Sequence, residues 1–359
     1  MTGGAAEMTK SGAKAVVSAA GLVRHGLAHP DDSAALEAVA ENFRIRIPAH
    51  VLETLDGAPA DDPLRAQYVP DARELDHHED ESEDPIGDQV FERVKGITHR
   101  YPDRLLLKPT HSCQVYCRFC FRRESVGKPE AALDGAELEA ALDYIRAHEE
   151  IFEVILSGGD PLVLSDRRLG SLMEALGDIA HVGVIRFHTR APLVSPERVS
   201  ENLVSALKRA GKTVNIVIHV NHVRELTDVV RAGLARLADS GMPLFSQTVL
   251  LKDVNDDAET LAALFRALLT NRVKPYYLHH LDHAKGVSHF AVPITRGQAI
   301  MRALRGRVSG LCLPTYVLDI PGGHGKVPVG PVYLEELEAA GDYQVEDYLG
   351  VRHRYSDWR

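Results

Sequence analysis

The sequence contains no uninterrupted apolar run that approaches the roughly 20 residues needed to cross a bilayer. Residues 1–21 lack the apolar core of a secretory signal, so we expect a flexible lead there and a cytoplasmic protein. Basic residues are outnumbered, 41 against 51 acidic ones, which gives a formal net charge of −10. This balance argues against nucleic acid or an anionic membrane surface as a partner.

Cysteine is also scarce in this sequence. The chain has four cysteines; Cys113, Cys117 and Cys120 follow a C-x3-C-x2-C spacing, and Cys312 is distant. Thiols gathered this densely, without secretory features, indicate metal or cluster ligands rather than disulfide partners. A closed zinc site would need a fourth ligand, for which His111 is a candidate. A [4Fe–4S] cluster held by three thiolates keeps one iron free for a small molecule. We favour the cluster, keep zinc and redox-active thiols as alternatives, and expect Cys312 to be uninvolved.

Short apolar runs alternate with amphipathic helical stretches from residue 104 onward. Six runs predict β-strands, at residues 104–109, 152–156, 183–188, 213–219, 244–250 and 274–279. Helical periodicity covers residues 136–147, 165–176, 198–209, 227–239 and 257–269. Polar residues follow the carboxyl ends of many runs, which is typical of a TIM-like barrel, whereas a doubly wound sheet concentrates its chemistry at one switch point. The sequence therefore predicts an α/β fold built on a parallel, barrel-like sheet.

The region before residue 94 has a different composition. Residues 33–43 show helical spacing behind a possible Ser33 cap, and prolines interrupt the following segment, so we predict a small helical appendage. Residues 71–88 are strongly acidic and include His77 and His78; we interpret them as a solvated loop, with weak metal binding as the alternative. The predicted units are residues 1–93 for the lead and appendage, 94–295 for the barrel core and 296–359 for a C-terminal segment.

The cysteine run, with Phe119 immediately before its last thiol, resembles the signature of the radical S-adenosylmethionine (SAM) enzymes. From about residue 98 to about residue 329 the chain is similar to the lysine 2,3-aminomutase family. The resemblance implies a partial (β/α)6 TIM-like barrel with an N-terminal helical appendage and a C-terminal extension. It also implies a [4Fe–4S] cluster on the three cysteines, SAM, pyridoxal 5′-phosphate (PLP), a low-potential electron donor such as flavodoxin or ferredoxin, and a homo-oligomer.

Two segments match family positions that contact SAM. Ser157-Gly158-Gly159-Asp160 follows a predicted strand, where paired glycines let backbone approach a ligand closely. Alone, these residues would more often form a tight turn; in the family the Gly-Gly-acid segment holds the SAM amino group. His219 and Gln247 match further SAM contacts, although each on its own would more often be a satisfied polar residue at a barrel rim.

Two other segments match the family's PLP site. Arg100 and Arg104 flank Tyr101, and paired guanidinium groups suit a phosphate, although surface salt bridges are the simpler alternative. In the family the matching residues bind the PLP phosphate. Lys326 follows a Gly-rich stretch that is not a P-loop, because Val327 stands where Ser or Thr is required. A solvated lysine on a turn is the default interpretation, but Lys326 coincides with the catalytic, PLP-bearing lysine of the family.

Three charged residues match the family's substrate site. Asp282 and Asp319 each lie beside apolar residues near a predicted strand end, where a carboxylate must be paired or solvated. Both match positions that grip the lysine side-chain amine. Arg122 matches the residue that binds the substrate carboxylate, with Arg123 beside it as the alternative. Four histidines crowd the same region and could suggest a second metal, but we favour site-lining or core roles for them: His279, His280, His283 and His289.

The resemblance implies an isomerase reaction, the conversion of free L-lysine to β-lysine by a radical 1,2-amino shift. Residues 333–359 contain no cysteine, unlike the zinc-binding tail of clostridial-type members, and the length is closer to relatives that modify a lysine on elongation factor P. Those relatives lack the aspartate at the position of Asp319. The alternatives are therefore an aminomutase that modifies elongation factor P and, from another class, a non-catalytic iron–sulfur or zinc protein.

Overall fold

The computed structural model describes residues 15–128 and 132–358. Its N-terminal part contains four short helices, α1 (Ala19–Arg24), α2 (Ser33–Asn42), α3 (Ala49–Thr54) and α4 (Pro63–Tyr68). Side chains cap two of them, because Ser18 accepts from Gly21 N before α1 and Asp62 accepts from Leu64 N and Arg65 N before α4. These helices are the N-terminal appendage that the sequence predicts.

A ten-stranded sheet follows this appendage. Its strands are β1 (Glu92–Val94), β2 (Ile97–Tyr101), β3 (Arg104–Thr110), β4 (Glu153–Gly158), β5 (Val184–Thr189), β6 (Thr213–His219), β7 (Leu244–Val249), β8 (Val273–His279), β9 (Thr315–Ile320) and β10 (Gly325–Pro328). Each strand pairs with the next one along the chain. The pairing is parallel from β3 to β9 and antiparallel for β1, β2 and β10 at the two edges.

Helices cover the outside of this sheet. They are α5 (Gly135–Ala147), α6 (Asp166–Gly177), α7 (Ala191–Val194), α8 (Glu201–Lys208), α9 (Asp228–Asp239), α10 (Ala258–Thr270) and α11 (Ile294–Leu304). In α6 the buried residues Leu169, Leu172, Met173 and Leu176 recur at intervals of three and four, which forms one apolar stripe toward the sheet. Short 3-10 turns occur at Pro30–Asp32, Ala72–Leu75, Gln89–Phe91, Pro161–Val163, Pro196–Arg198, Val223–Glu225, Ser288–Phe290 and Gly310–Cys312.

The partial TIM-like barrel predicted from the sequence is confirmed. Its six predicted strands are β3 to β8, and the five predicted helical stretches correspond to α5, α6, α8, α9 and α10. A seventh parallel strand, β9, extends the barrel by pairing with β8. Within the described residues the sheet does not close, since β1 and β10 are its two edges. The sheet also crosses the predicted unit boundary between residues 295 and 296.

Strand residues alternate between the helices and the inside of the barrel. In β4, Val154 and Leu156 are fully buried in the core beneath the helices, whereas Glu153, Ile155 and Ser157 line an internal cavity. Because parallel strands all end at the same edge, this alternation brings the polar residues of many strands to one place.

A second, three-stranded antiparallel sheet forms the C-terminal part. Its strands are β11 (Leu334–Glu336), β12 (Asp342–Glu346) and β13 (Arg352–Ser356). All five residues of β13 are exposed. Across the two described ranges, no helix combines the length and the apolar character that a membrane crossing requires.

Two expectations for the N-terminal region need correction. The predicted flexible lead lies outside the described residues up to residue 14, but from residue 15 the chain is ordered: Val16 pairs with Ile47, and α1 begins at Ala19. The acidic segment 71–88 is solvated only in its middle part. Its ends carry Glu74 and Asp88, which are buried because arginines from later in the chain pair with them.

Candidate active site

A cavity of about 530 Å³ opens at the carboxyl ends of the parallel strands. Every residue that the sequence predicts for a cluster, cofactor or substrate lines it. They are Cys113, Cys117, Cys120, Ser157, Gly158, Gly159, Asp160, His219, Gln247, Arg100, Tyr101, Arg104, Lys326, Arg122, Asp282 and Asp319. The fold therefore brings together residues spread over more than half of the chain, while the ligand that each one binds stays a prediction.

The three cysteines lie on the loop that follows β3. Burial is the main cause that raises the pKa of each thiol, to about 11 for Cys117, and neighbouring thiols of the group add to the shift at Cys113 and Cys117. Buried thiols without a carboxylate partner suit a metal-rich cluster, because metal ions stabilise thiolates that burial alone disfavours. No three His, Cys, Asp or Glu side chains in residues 15–128 and 132–358 are arranged to hold a single metal ion.

Arg190 is a site residue that sequence reasoning noted only as a polar residue after β5. Its Nη1 lies 3.5 Å from Cys117 Sγ, and its Nη2 donates to Glu225 Oε2 at 2.6 Å and lies 2.8 Å from the Tyr68 hydroxyl. Gln67 accepts from the same nitrogen at 2.7 Å. This positive charge lowers the pKa of Cys117 against the larger effect of burial. The only sequence signal for it was its place directly after a predicted strand.

The Gly-Gly-acid segment packs tightly against the cysteine loop. Gly158 has φ +98°, and a Cβ there would meet Thr110 O at 2.5 Å; a Cβ on Gly159 would strike Ser112 O. The Asp160 carboxylate accepts from Thr189 Oγ1 and from the backbone N–H groups of Leu162, Arg190 and Ala191. These bonds direct it into the loop after β5, and its predicted contact with the SAM amino group stays a prediction.

Histidines line the cavity as neutral groups. Burial lowers the pKa of His219 to about 3 and that of His188 well below its usual range. Nε2 of His188 and Nε2 of His279 are buried without a hydrogen-bond partner. Two of the other clustered histidines point elsewhere, since His280 Nδ1 lies 2.9 Å from the Tyr316 hydroxyl and the His289 ring packs on Phe290.

A β-hairpin places Lys326 directly opposite Asp319. The antiparallel register of β9 and β10 pairs the two residues, and Lys326 Nζ lies 2.7 Å from Asp319 Oδ1. Burial opposes ionisation of Asp319, but hydrogen bonds from His279 and Lys326 outweigh it and lower the pKa of this carboxyl to about 2. The Tyr101 hydroxyl accepts from Lys326 N at 2.9 Å. Lys326 is thus an amine at the cavity wall, fixed by its backbone and by one carboxylate.

Asp282 is the second carboxyl on this side of the cavity. Burial, assisted by the negative charge of Asp319, raises its pKa to about 7, while Lys326 and Arg122 act in the opposite direction. Asp319 and Lys326 are close enough to Asp282 for their charges to shift its pKa, so two carboxyls and one cation share this part of the cavity, which is anionic when both acids are ionised. A second ammonium group would satisfy it.

Arg122 is held by a residue that the sequence did not indicate. Its Nε and Nη2 donate to Asp88 Oδ2 at 2.9 and 2.6 Å, and its Nη1 donates to Ser157 Oγ at 3.1 Å. Arg100 Nη2 donates to the other oxygen of Asp88 at 3.3 Å and to Ile86 O at 2.6 Å. Arg123, the alternative to Arg122, instead pairs with the buried Glu74.

Another part of the cavity lining is cationic and aromatic. The Arg104 guanidinium lies 4.1 Å from the centre of the Tyr101 ring. Arg186, which sequence reasoning missed, lines the same cavity and pairs with Glu153 at 2.7 Å. The Nε atoms of Arg100 and Arg186 are buried without a partner. Unpaired guanidinium donors in a closed cavity suit an anion such as a phosphate.

Comparison with known proteins gives the same picture. The family model "Radical SAM superfamily" matches residues 107–265, and the model "Lysine-2,3-aminomutase" matches residues 301–355. The L-lysine 2,3-aminomutase of Acetoanaerobium sticklandii is 40% identical over 85% of this chain and 73% of its own length. The enzyme of the same name from Clostridium subterminale is 38% identical over 88% and 76%, respectively.

A relative with another substrate in its name matches almost as well. The glutamate 2,3-aminomutase of Clostridioides difficile is 37% identical over 83% of this chain and 70% of its own. Among solved structures, a type I 3-dehydroquinate dehydratase from Clostridium difficile superposes with a TM-score of 0.30 at 14% identity, over 52% of this chain and 69% of that one. That structural likeness is too low to bear on fold or function.

Proposed function

Because this chain belongs to the lysine 2,3-aminomutase family of radical SAM enzymes, we propose that it converts L-lysine to β-lysine. Membership in the family makes it a radical aminomutase that uses a [4Fe–4S] cluster and SAM. PLP and the identity of the amino acid are the proposed parts. They are supported by one observation above all: Lys326, paired with Asp319 and adjacent to Asp282, lies in the same cavity as the three thiols.

The charge distribution of the cavity favours lysine over glutamate. Arg122 offers a cation for the α-carboxylate, and Asp282 with Asp319 offers an anionic surface for a second amine. L-Glutamate would instead present its second carboxylate to these two acids. Bringing like charges together in a partly desolvated cavity costs on the order of several kcal/mol, which is similar to the penalty for burying an uncompensated charge.

The residues fit both implied cofactors by their chemistry. Cys113, Cys117 and Cys120 would hold the cluster, and Lys326 would hold PLP covalently, with Arg100 and Arg104 at its phosphate. When bound, the cluster and SAM supply a radical that removes a substrate hydrogen, and PLP supplies the carbonyl group to which the migrating nitrogen bonds.

The residues of the chain position the reactants, limit their contact with water and supply the charged groups that bind them. Lys326 must give up its proton before its nitrogen can form a covalent bond, and the ionised Asp319 is the neighbouring carboxylate. Once Lys326 has lost its charge, Asp319 is left without that cation and can accept a substrate ammonium. The strand ends and the segment that carries Ile86 and Asp88 line the cavity and limit the access of water, which protects radicals from side reactions.

The direct test is chromatography of products from free L-lysine with reconstituted protein, SAM, PLP and reductant. We expect β-lysine to accumulate and no β-glutamate to form from L-glutamate in a parallel reaction. Product from glutamate alone would transfer the assignment to the glutamate-specific subgroup. Product only on the lysine of elongation factor P would favour the protein-modifying alternative, for which the cysteine-free tail of this chain is the supporting feature.

A second measurement addresses PLP without relying on turnover. Borohydride reduction in the presence of PLP, followed by peptide mapping, should place the label on Lys326. Lys252 is a useful internal reference, since it is exposed and does not line the cavity. A label on any other lysine would overturn the PLP assignment. A low-potential protein as electron donor and a homo-oligomeric state remain predictions from the family.

A further inference from the structure

We propose that Asp88 is a positioning residue that turns Arg122 toward the carboxylate of the substrate and keeps it away from the substrate's amine site. The inference rests on the proposed function, because it concerns how the cavity separates the two ends of a diamino acid. Asp88 lies in the acidic segment 71–88, whose composition predicts a solvated loop. It is buried instead and lines the cavity.

The hydrogen bonds of Arg122 show which part of it remains available. A guanidinium has five N–H donors. Asp88 takes two of them, on Nε and Nη2, and Ser157 takes one on Nη1. One N–H on each terminal nitrogen is left, and this pair is the forked end that binds a carboxylate in bidentate fashion.

Asp88 is itself held from several directions. Arg100 donates to its second oxygen at 3.3 Å, and Arg122, Lys108 and Arg100 outweigh the effect of burial and lower the pKa of this carboxyl. Its backbone N–H donates to Asp84 Oδ1 at 2.8 Å. The carboxylate is therefore ionised at neutral pH and fixed at both ends.

The segment that carries Asp88 is fastened to the far side of the cavity. Ser82 N donates to His283 O at 2.8 Å, beyond the end of β8. Gly87 has φ +65°, and a Cβ there would meet Gly323 N at 2.5 Å, in the turn between β9 and β10. Asp88 thus reaches Arg122 from a segment that also contacts the loop bearing Asp282 and the turn that precedes Lys326.

The charges of the cavity explain why such a residue is needed. Arg122 is close enough to Asp282 to lower its pKa, so the two groups attract each other. Without Asp88, the guanidinium could turn toward Asp282 and Asp319 and neutralise the surface proposed for the substrate amine. By accepting hydrogen bonds from Nε and Nη2 of Arg122, Asp88 keeps the carboxylate-binding and the amine-binding sites apart. This separation is what a substrate with one carboxylate and a distant amine requires.

The test compares L-lysine with L-lysinamide, which has both amines but no carboxylate. Equilibrium dialysis would measure binding of each to PLP-loaded wild-type protein and to Asp88→Asn, which preserves the shape of the side chain. We expect the variant to bind L-lysine about tenfold more weakly or worse, equivalent to at least ~1.4 kcal/mol. Binding of L-lysinamide should weaken by a clearly smaller factor, because it has no carboxylate to lose from Arg122 and is affected only where the guanidinium turns toward the amine site.

Two further variants make the outcome specific. Asp76→Asn changes an exposed aspartate of the same segment and should alter neither ligand's affinity. Arg122→Lys should abolish the effect of Asp88→Asn on lysine binding, because Asp88 acts by orienting the two terminal N–H groups of the Arg122 guanidinium, which a lysine side chain lacks. Thermal melting and iron content of each variant, compared with wild type, report on folding.

The outcomes separate the two levels of inference. Equal weakening of both ligands by Asp88→Asn would show a merely structural role and overturn this inference alone, as would unchanged lysine binding. Wild-type protein that binds neither ligand would overturn the proposed function and this inference with it. Selective loss of L-lysine binding, removed again in the Arg122→Lys background, supports both.

Discussion

The two walls of the cavity are built on different principles. The cluster wall, at the carboxyl ends of β3 to β5 (residues 110–120, 157–160 and 188–190), holds its charged groups in protein pairs. Asp160 accepts from Thr189 and from backbone N–H groups, and Arg190 Nη2 donates to Gln67 and Glu225, although Arg190 Nε and His188 Nε2 are buried without a partner. The lysine wall, at the ends of β8 to β10 (residues 279–282 and 319–326), keeps one carboxyl, Asp282, whose pKa burial raises to about 7.

The difference separates rigidity from reactivity. A buried network of paired charges holds one geometry, and a cluster needs its three thiols fixed in one geometry. A buried carboxyl that is held partly neutral costs stability when it ionises, but a cationic ligand can pair with it. One wall is therefore suited to a permanently bound inorganic group, and the other to partners that arrive and leave.

The largest expected effect comes from removing a thiol. Cys113→Ala should abolish cluster assembly, measured as iron and sulfide per chain after anaerobic reconstitution, because three thiolates are the only cysteine ligands at the site. Cys312→Ala is the matched control, since that thiol is buried in the hydrophobic core. PLP labelling of Lys326 should persist in both variants. Iron loss in Cys312→Ala, or loss of labelling in Cys113→Ala, would contradict the independence of the two walls.

Next in size is the loss of the pairing behind the cluster wall. Glu225 accepts from Arg190, from the Tyr68 hydroxyl and from two backbone N–H groups. Glu225→Ala leaves the Arg190 charge buried without its carboxylate, so we expect the free energy of unfolding to fall by about 3–5 kcal/mol in urea titrations. Glu201→Ala removes a pair that is 39% and 80% exposed and should cost less than about 1 kcal/mol. Equal losses of unfolding free energy in the two variants would show that the buried Glu225–Arg190 pair contributes no more to stability than an exposed pair.

The sequence was sufficient for features that local patterns encode. Apolar runs about one βα unit apart predicted β3 to β8, and the cysteine spacing identified the loop after β3. The pairing of Lys326 with Asp319 is also local, because both flank one Gly-rich turn and the hairpin register sets them opposite each other.

Other features depend on partners far apart in the chain. Glu74 and Asp88 belong to a run whose composition indicates solvent exposure, but Arg118 and Arg122, more than thirty residues later, bury them. Arg186 lies inside a predicted strand, on the face opposite the buried Ile185 and Phe187, and only the pairing of Arg186 with Glu153 of the neighbouring strand accommodates its charge there. Such contacts are tertiary and leave no periodic signal in the sequence.

The lysine wall should respond strongly to loss of its ionised acid. Asp319→Ala removes the partner of Lys326 and one side of the proposed amine site, so lysine turnover should fall by on the order of a hundredfold or more. Cluster content should be unchanged, because Asp319 makes no contact with the cluster wall among the hydrogen bonds and ion pairs of the described residues. Asp239→Ala, whose pair with Arg272 is exposed, is the control. Unchanged turnover would mean that the amine of the substrate is held elsewhere.

The smallest and most specific effect is the pH dependence of lysine binding. The pKa of Asp282 is raised from 3.8 to about 7, so this carboxyl is increasingly neutral below pH 7, whereas Asp319, at about 2, stays ionised. An ammonium requires the ionised form, so lysine affinity should fall as pH is lowered through 7, by up to about tenfold per pH unit. Asp282→Asn should flatten this dependence in equilibrium dialysis between pH 5 and 8, whereas Asp319→Asn should keep the dependence and move it to lower pH, because the negative charge of Asp319 helps to raise the pKa of Asp282.

The same shift has a cost in the free protein: a raised carboxyl pKa means that stability from the protonated form is lost as pH rises from about 4 to 7. Asp282→Asn should therefore melt at a higher temperature than wild type at pH 8, by a smaller margin at pH 5, and at a similar temperature only at about pH 4, near the ordinary carboxyl pKa. Two results would show that Asp282 is not the titrating acid of this wall. One is a pH dependence of lysine binding that disappears in Asp319→Asn, and the other is an Asp282→Asn variant that melts below wild type at pH 8.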